Sequence, residues 1–336
     1  MTTVSDRAAE TLTVLRPDVR EAAENADAAV LRPDDQSQLG QADRARIALR
    51  VALVNETNSY ADSVALALDD AEVVRDVERW GELPEATQAL LAHCEQVALD
   101  PADAGADEIA ELRHHFSPAQ VVTATQVAAY ASFRVRLESG LRLVADAGDG
   151  PASQPGLTIE AGAAADGFAL STPDQAFPSM RWTSWVVPGG EFVETLKLDA
   201  GVLSAQTLLR EAIMTGHGAL DRADRELAAL ATSLINGCGY CTAVHGKRQV
   251  ELSGDPLTAV VLAEAGPAAI ADERLRAVVD VAGALSRTPA ALGAADIRRL
   301  HAVGLDADDV HDLVAVGSMF AWDNRLIMTL GNAVRS

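Results

Sequence analysis

The stretch that decides the fold is Ala223-Asp224-Arg225-Glu226-Leu227-Ala228-Ala229-Leu230, running through Leu234 and Ile235 into Asn236-Gly237-Cys238-Gly239-Tyr240-Cys241-Thr242-Ala243-Val244-His245. Leu227, Leu230 and Leu234 recur at helical spacing and predict a helix over Arg222–Ile235. Asn236-Gly237 is a stop signal, with a glycine available for the left-handed residue that follows a helix. Cys241–Leu252 then reads as a second helix whose first turn carries the cysteines. Leu227–Gly246 is uncharged and nearly long enough to span a membrane. Its Asn, Gly, Cys and His residues would be costly against lipid, so it is expected to be buried in protein.

Working outward, the same Ala- and Leu-rich helical pattern recurs in both directions. Helices are expected at Pro17–Ala29, Asp43–Val54, Glu85–Leu99, Asp107–His114 and Pro118–Leu143, with Ser117 as a cap and Pro118 at the first helical position. Beyond the connector come Ser204–Thr215, Pro256–Ala265, Glu273–Leu285, Ala294–Val303 and Ala307–Leu330. Strand signals are nearly absent, and aromatics at 4% are too scarce for a β-sandwich. The chain is therefore expected to be all-α.

The two halves resemble each other. Asp43-Arg44, Ala48-Leu49, Leu53 and Asn55 match Asp224-Arg225, Ala229-Leu230, Leu234 and Asn236 at an offset of 181. Ile109 and Leu112 match Ile297 and Leu300 at 188, and Val121, Phe133, Arg136 and Leu141 match Val310, Trp322, Arg325 and Leu330 at 189. A duplicated module is the simplest reading. It gives a helical module over 1–146, a linker or docking arm over 147–203, and a second module over 204–336. Gly148, Gly150, Pro151, Pro155 and Gly156 open the arm, which also holds Phe168, Phe177, Trp182, Trp185 and Phe192. Aromatics of this density predict docking on a module, chiefly as packing, with a pocket wall as the alternative.

Acidic residues outnumber basic ones by 49 to 27 in 336 residues, a net charge of −22. That surface disfavours nucleic acid and anionic membrane as partners. Met1–Arg7 carries no leader pattern, and three cysteines suit a reducing cytoplasm.

Chemistry concentrates in Glu226-x11-Cys238-x-x-Cys241-x-x-x-His245. His245 lies one turn after Cys241, so the two share a helix face. A thiol at a helix start beside an imidazole ionises more readily than a free one. Two thiols three residues apart also close a disulfide with little backbone movement. The residues leave three readings open. They are a reactive dithiol, a zinc site in which Glu226 or His217 joins Cys238, Cys241 and His245, and two inert core cysteines. The lack of a second C-x-x-C disfavours zinc. His93, His114, His115, His301 and His311 read as surface residues, and Cys94 as a lone core thiol.

The segment Ala223–His245 resembles the AhpD-like alkylhydroperoxidases of the carboxymuconolactone decarboxylase superfamily, with Glu226, Cys238, Cys241 and His245 at the family's spacing. The resemblance runs over about residues 206–331 and extends, degenerately, to the N-terminal half. It implies a homo-oligomer that reduces organic hydroperoxides, with Cys241 attacking, Cys238 resolving, and Glu226 and His245 relaying protons. A lipoyl or thioredoxin-like reductant would close the cycle, without a bound cofactor or metal. Tyr240 stands where the best-known members carry a His. At an offset of 181, Ala45, Thr57, Tyr60 and Val64 stand against Glu226, Cys238, Cys241 and His245, so the first module is expected to lack thiol chemistry.

Overall fold

The structure, a computed structural model, describes residues 11–147 and 170–336. The leader reading of Met1–Arg7, the Gly- and Pro-rich opening of the connector and Phe168 lie outside them. The first half carries α1 (Pro17–Leu31), α2 (Gln41–Val54), α3 (Asn58–Ala65), α4 (Ala71–Arg75), α5 (Glu85–Leu99), α6 (Ala106–Leu112) and α7 (Pro118–Ala147). The second carries α8 (Ala200–Thr215), α9 (Arg222–Ile235), α10 (Gly239–Ser253), α11 (Pro256–Ala265), α12 (Glu273–Ser286), α13 (Ala294–Ala302) and α14 (Ala307–Thr329). The expected all-α fold is what the described residues adopt, and no described helix is long and apolar enough to cross a membrane. The uncharged run Leu227–Gly246 is two helices broken at Asn236-Gly237, and Leu227–Leu230 are fully buried.

Local structure repeats from one half to the other in detail. The turn after α2 is built by Asn55 N–H to Val51 O, Glu56 N–H to Leu53 O and Thr57 N–H to Ala52 O. The turn after α9 repeats all three bonds, from Asn236, Gly237 and Cys238 to Thr232, Leu234 and Ser233. Its middle residue is left-handed both times, Glu56 at φ 56° and Gly237 at φ 76°. Arg44 and Arg225, both buried, each donate Nε to the carbonyl five residues back, Leu39 and Leu220, at 2.9 and 2.8 Å. Buried carbonyls need such donors, because an unpaired one costs about 1–3 kcal/mol.

The long helices α7 and α14 pack against each other at the centre, and the halves exchange contacts there. Trp322 on α14 stacks edge-on with Tyr130 of α7 at 5.0 Å and donates Nε1 to Gln126 at 2.8 Å. Arg136 of α7 reaches the carbonyls of Leu285, Ser286 and Arg287 at the end of α12. Arg325 of α14 reaches Ala98 O near the end of α5, and both guanidinium groups touch Thr288 Oγ1. A cation at a helix C-terminus meets unpaired carbonyls and the negative end of the helix dipole. Burial pulls both arginines below their usual range, Arg325 to about 10.

The described part of the connector docks chiefly on the second half, and its end also meets α7, where Thr123 Oγ1 donates to Asp199 Oδ2 at 2.8 Å. Phe177 is fully buried under Gly246 of α10, and Trp182 donates Nε1 to Ile327 O at 2.8 Å. Here the sequence reading missed a small sheet. Strand β1 (Met180–Ser184) pairs antiparallel with β2 (Gly331–Arg335), Trp182 opposite Ala333. Five residues from each of two distant segments carry too little pattern to be seen alone, and the pairing exists because the arm docks. His93 is a second correction, since it is 2% exposed and bonded to Thr125 Oγ1 and Glu108 Oε1 at 2.9 and 3.2 Å. His301 and His311 are half-buried rather than solvated, while His114 and His115 are exposed.

Candidate active site

Helix α9 carries Glu226 in its second turn, packed against α10, α12 and α14, which buries the carboxylate to 3% exposure. The left-handed Gly237 turns the chain sharply, so α10 starts beside the end of α9. Cys238 caps α10, its Sγ accepting the backbone N–H of Cys241 at 3.4 Å. His245 follows one turn after Cys241 and closes the gap to α9, its Nδ1 lying 2.6 Å from Glu226 Oε2. Phe320 of α14 meets the imidazole edge-on at 4.4 Å.

With Glu226 ionised and the imidazole neutral, the shared proton sits on Nδ1 and Nε2 is the ring's acceptor. A carboxylate behind an imidazole fixes its tautomer and orientation and steadies the imidazolium once it forms. Both thiols are free. Their settings differ, however. Cys238 borders an open cleft of about 340 Å³, with Trp185, Tyr240, Ile327 and Met328 among its walls. Cys241 does not line that cleft. Burial first, then the hydrogen bond to Cys238 and its charge, push the Cys241 thiol well above its usual range. Cys238 thus lies at the cleft wall and Cys241 does not, although both residues are buried, at 1% and 2% exposure.

The four expected residues form two pairs, Cys238 with Cys241 across the first turn of α10 and Glu226 with His245 between α9 and α10. His217 does not join them. It is exposed, and its carbonyl accepts from Arg16 Nη1 at 2.7 Å. Among the described residues no group of three or more His, Cys, Asp or Glu side chains is placed to hold a metal ion. Two features of the site escaped the sequence. Trp185 forms part of the cleft wall, where packing had been the main expectation. Ala102 and Ala104, from the loop after α5 of the other half, also line it, and nothing local in their sequence marks them.

Residues 200–282 match the carboxymuconolactone decarboxylase family. The chain is also similar to an uncharacterized peroxidase-related protein from Silicibacter sp. TM1040, at 28% identity over 43% of this chain and 78% of that one, with a TM-score of 0.39. No curated protein matches the chain.

Proposed function

We propose that the chain is a thiol-dependent peroxidase that reduces organic hydroperoxides through Cys238 and Cys241. The observation that carries this reading is the pair of free cysteines across the first turn of α10, the helix whose His245 pairs with the buried Glu226 at 2.6 Å. A family match over residues 200–282 supports it. One thiolate attacks the hydroperoxide, breaking the O–O bond to give ROH and a sulfenic acid. The other thiol condenses with that acid, releasing water and forming the Cys238–Cys241 disulfide. His245, oriented by Glu226, takes the thiol proton and returns it to the departing oxygen.

The first thiolate is assigned to Cys238. It borders the cleft, and its Sγ accepts the Cys241 amide N–H. A lipoyl or thioredoxin-like dithiol then reduces the disulfide through the same cleft. Two tandem modules make up the chain, the first without thiol chemistry, and chains assemble into closed homo-oligomers, dimers or trimers, readable by light scattering.

One equivalent of cumene hydroperoxide should oxidise the reduced protein, with loss of two thiols and two mass units per chain. The new disulfide should map to Cys238 and Cys241, with Cys94 still free. Consumption of the peroxide with those two cysteines still reduced would reject the reading.

A further inference from the structure

The first half contains a cavity of about 370 Å³ at the place where the second half holds its thiol site. Three of its lining residues, Ala45, Tyr60 and Val64, stand at an offset of 181 from Glu226, Cys241 and His245. Alanine for glutamate and valine for histidine remove the side chains that fill this space in the second half. The volume is within the range of ligand pockets.

Two of the cavity's polar side chains are buried donors without a hydrogen-bond partner. Arg134 lines it at 5% exposure, and its Nε and Nη1 are buried without a partner. Tyr60, 4% exposed, also lines it, and its hydroxyl has no partner either. The guanidinium lies over the Tyr60 ring, 5.9 Å from its centroid. The nearby carboxylate of Asp27 is already engaged. Its Oδ1 accepts Tyr130 Oη at 2.8 Å and lies 4.0 Å from Arg134 Nε, while Oδ2 accepts Arg32 at 2.6 Å. Glu24 also borders the cavity, but it is exposed. Arg134 shares Asp27 with Arg32, at 4.0 Å, and the buried Glu138 on its own helix also acts on it, yet its Nε and Nη1 make no hydrogen bond. A buried guanidinium with two idle donors favours an anionic acceptor.

We propose that this cavity binds a small monocarboxylate with an apolar body. Arg134 receives the carboxylate, Tyr60 donates a further hydrogen bond, and Leu12, Leu31 and Val64 cover the hydrocarbon part. Asp27 and Glu24 disfavour more highly charged anions such as phosphate. The first module then keeps a pocket after losing the residues of a thiol site, and the proposal does not depend on peroxidase activity.

The test is calorimetric titration of the full chain with hexanoate, alongside hexanamide as its uncharged counterpart. Saturable binding of one hexanoate per chain is expected, with hexanamide at least tenfold weaker. Arg134→Met should weaken hexanoate at least tenfold, and Tyr60→Phe less. Ala45→Leu fills the cavity from the opposite wall and leaves the guanidinium in place, so it should also abolish binding even if Arg134→Met fails to fold. Cys241→Ser should bind like wild type. Absence of saturable hexanoate binding, equal binding of hexanamide, full binding by Ala45→Leu, or loss of binding in Cys241→Ser would each overturn the proposal.

Discussion

The backbone N–H of Cys241 points at the Sγ of Cys238, 3.4 Å away, so the first cysteine of the pair caps the helix on which the second rides. Both thiols are buried, but one accepts that donor and borders the cleft, whereas the other does not line it. Order of attack follows from that asymmetry. Sulfenate trapping after a single peroxide addition should label Cys238 in Cys241→Ser faster than Cys241 in Cys238→Ser. The opposite ranking would return the first step to Cys241, as the spacing to His245 alone implies.

The left-handed turn offers a matched pair of substitutions. Gly237 and Glu56 hold the same position in the two halves at φ 76° and 56°. A Cβ at Gly237 meets only Ala102 Cβ at 3.7 Å, so strain there is conformational. Gly237→Ala should cost about 1–2 kcal/mol, and Glu56→Gly should stabilise by a fraction of that after glycine's unfolded-state entropy is subtracted. Urea midpoints of the two variants should move in opposite directions.

Much of this was legible in the sequence for a simple reason. Helices with dense apolar faces, such as Leu227, Leu230 and Leu234, announce themselves by period, and a Gly after Asn marks their end. The four candidate site residues sit within twenty positions, so two helices and one turn carry them all. What stayed hidden is long-range. Pairing of Trp182 with Ala333, burial of His93 against Thr125, and the entry of Ala102 into the cleft depend on packing between segments far apart in the chain.

Arm docking depends on Gly246. A Cβ there would overlap the fully buried Phe177 ring, which has no room to yield. Gly246→Ala should loosen the arm and shift Trp182 and Trp185 toward solvent. A red-shifted tryptophan emission and faster proteolysis within residues 170–200 are expected. Emission and proteolysis like those of wild type would contradict the docking role.

Alkaline stability should report the buried thiols. Burial, then Glu108 and Asp43, push Cys94 well above its usual range, so the folded state keeps a proton that the unfolded chain loses near pH ~8.5. That raised pKa contributes stability below the unfolded value, and the contribution is lost as pH climbs above it. Each such group steepens the fall by up to about 1.4 kcal/mol per pH unit. Between about pH 8 and about pH 10, Cys94→Ala should therefore lose stability less steeply than wild type. Parallel slopes would contradict the assignment.

The central claim is turnover by the Cys238–Cys241 pair. Steady-state reduction of cumene hydroperoxide by dihydrolipoamide measures it most directly, on wild type, Cys238→Ser, Cys241→Ser and His245→Ala. Wild type should turn over many times per chain. Each serine variant should stall within one turnover, and His245→Ala should slow by about 10²–10⁴-fold, the usual contribution of a positioned base. Wild-type rates in either serine variant, or no turnover in wild type, would contradict the account.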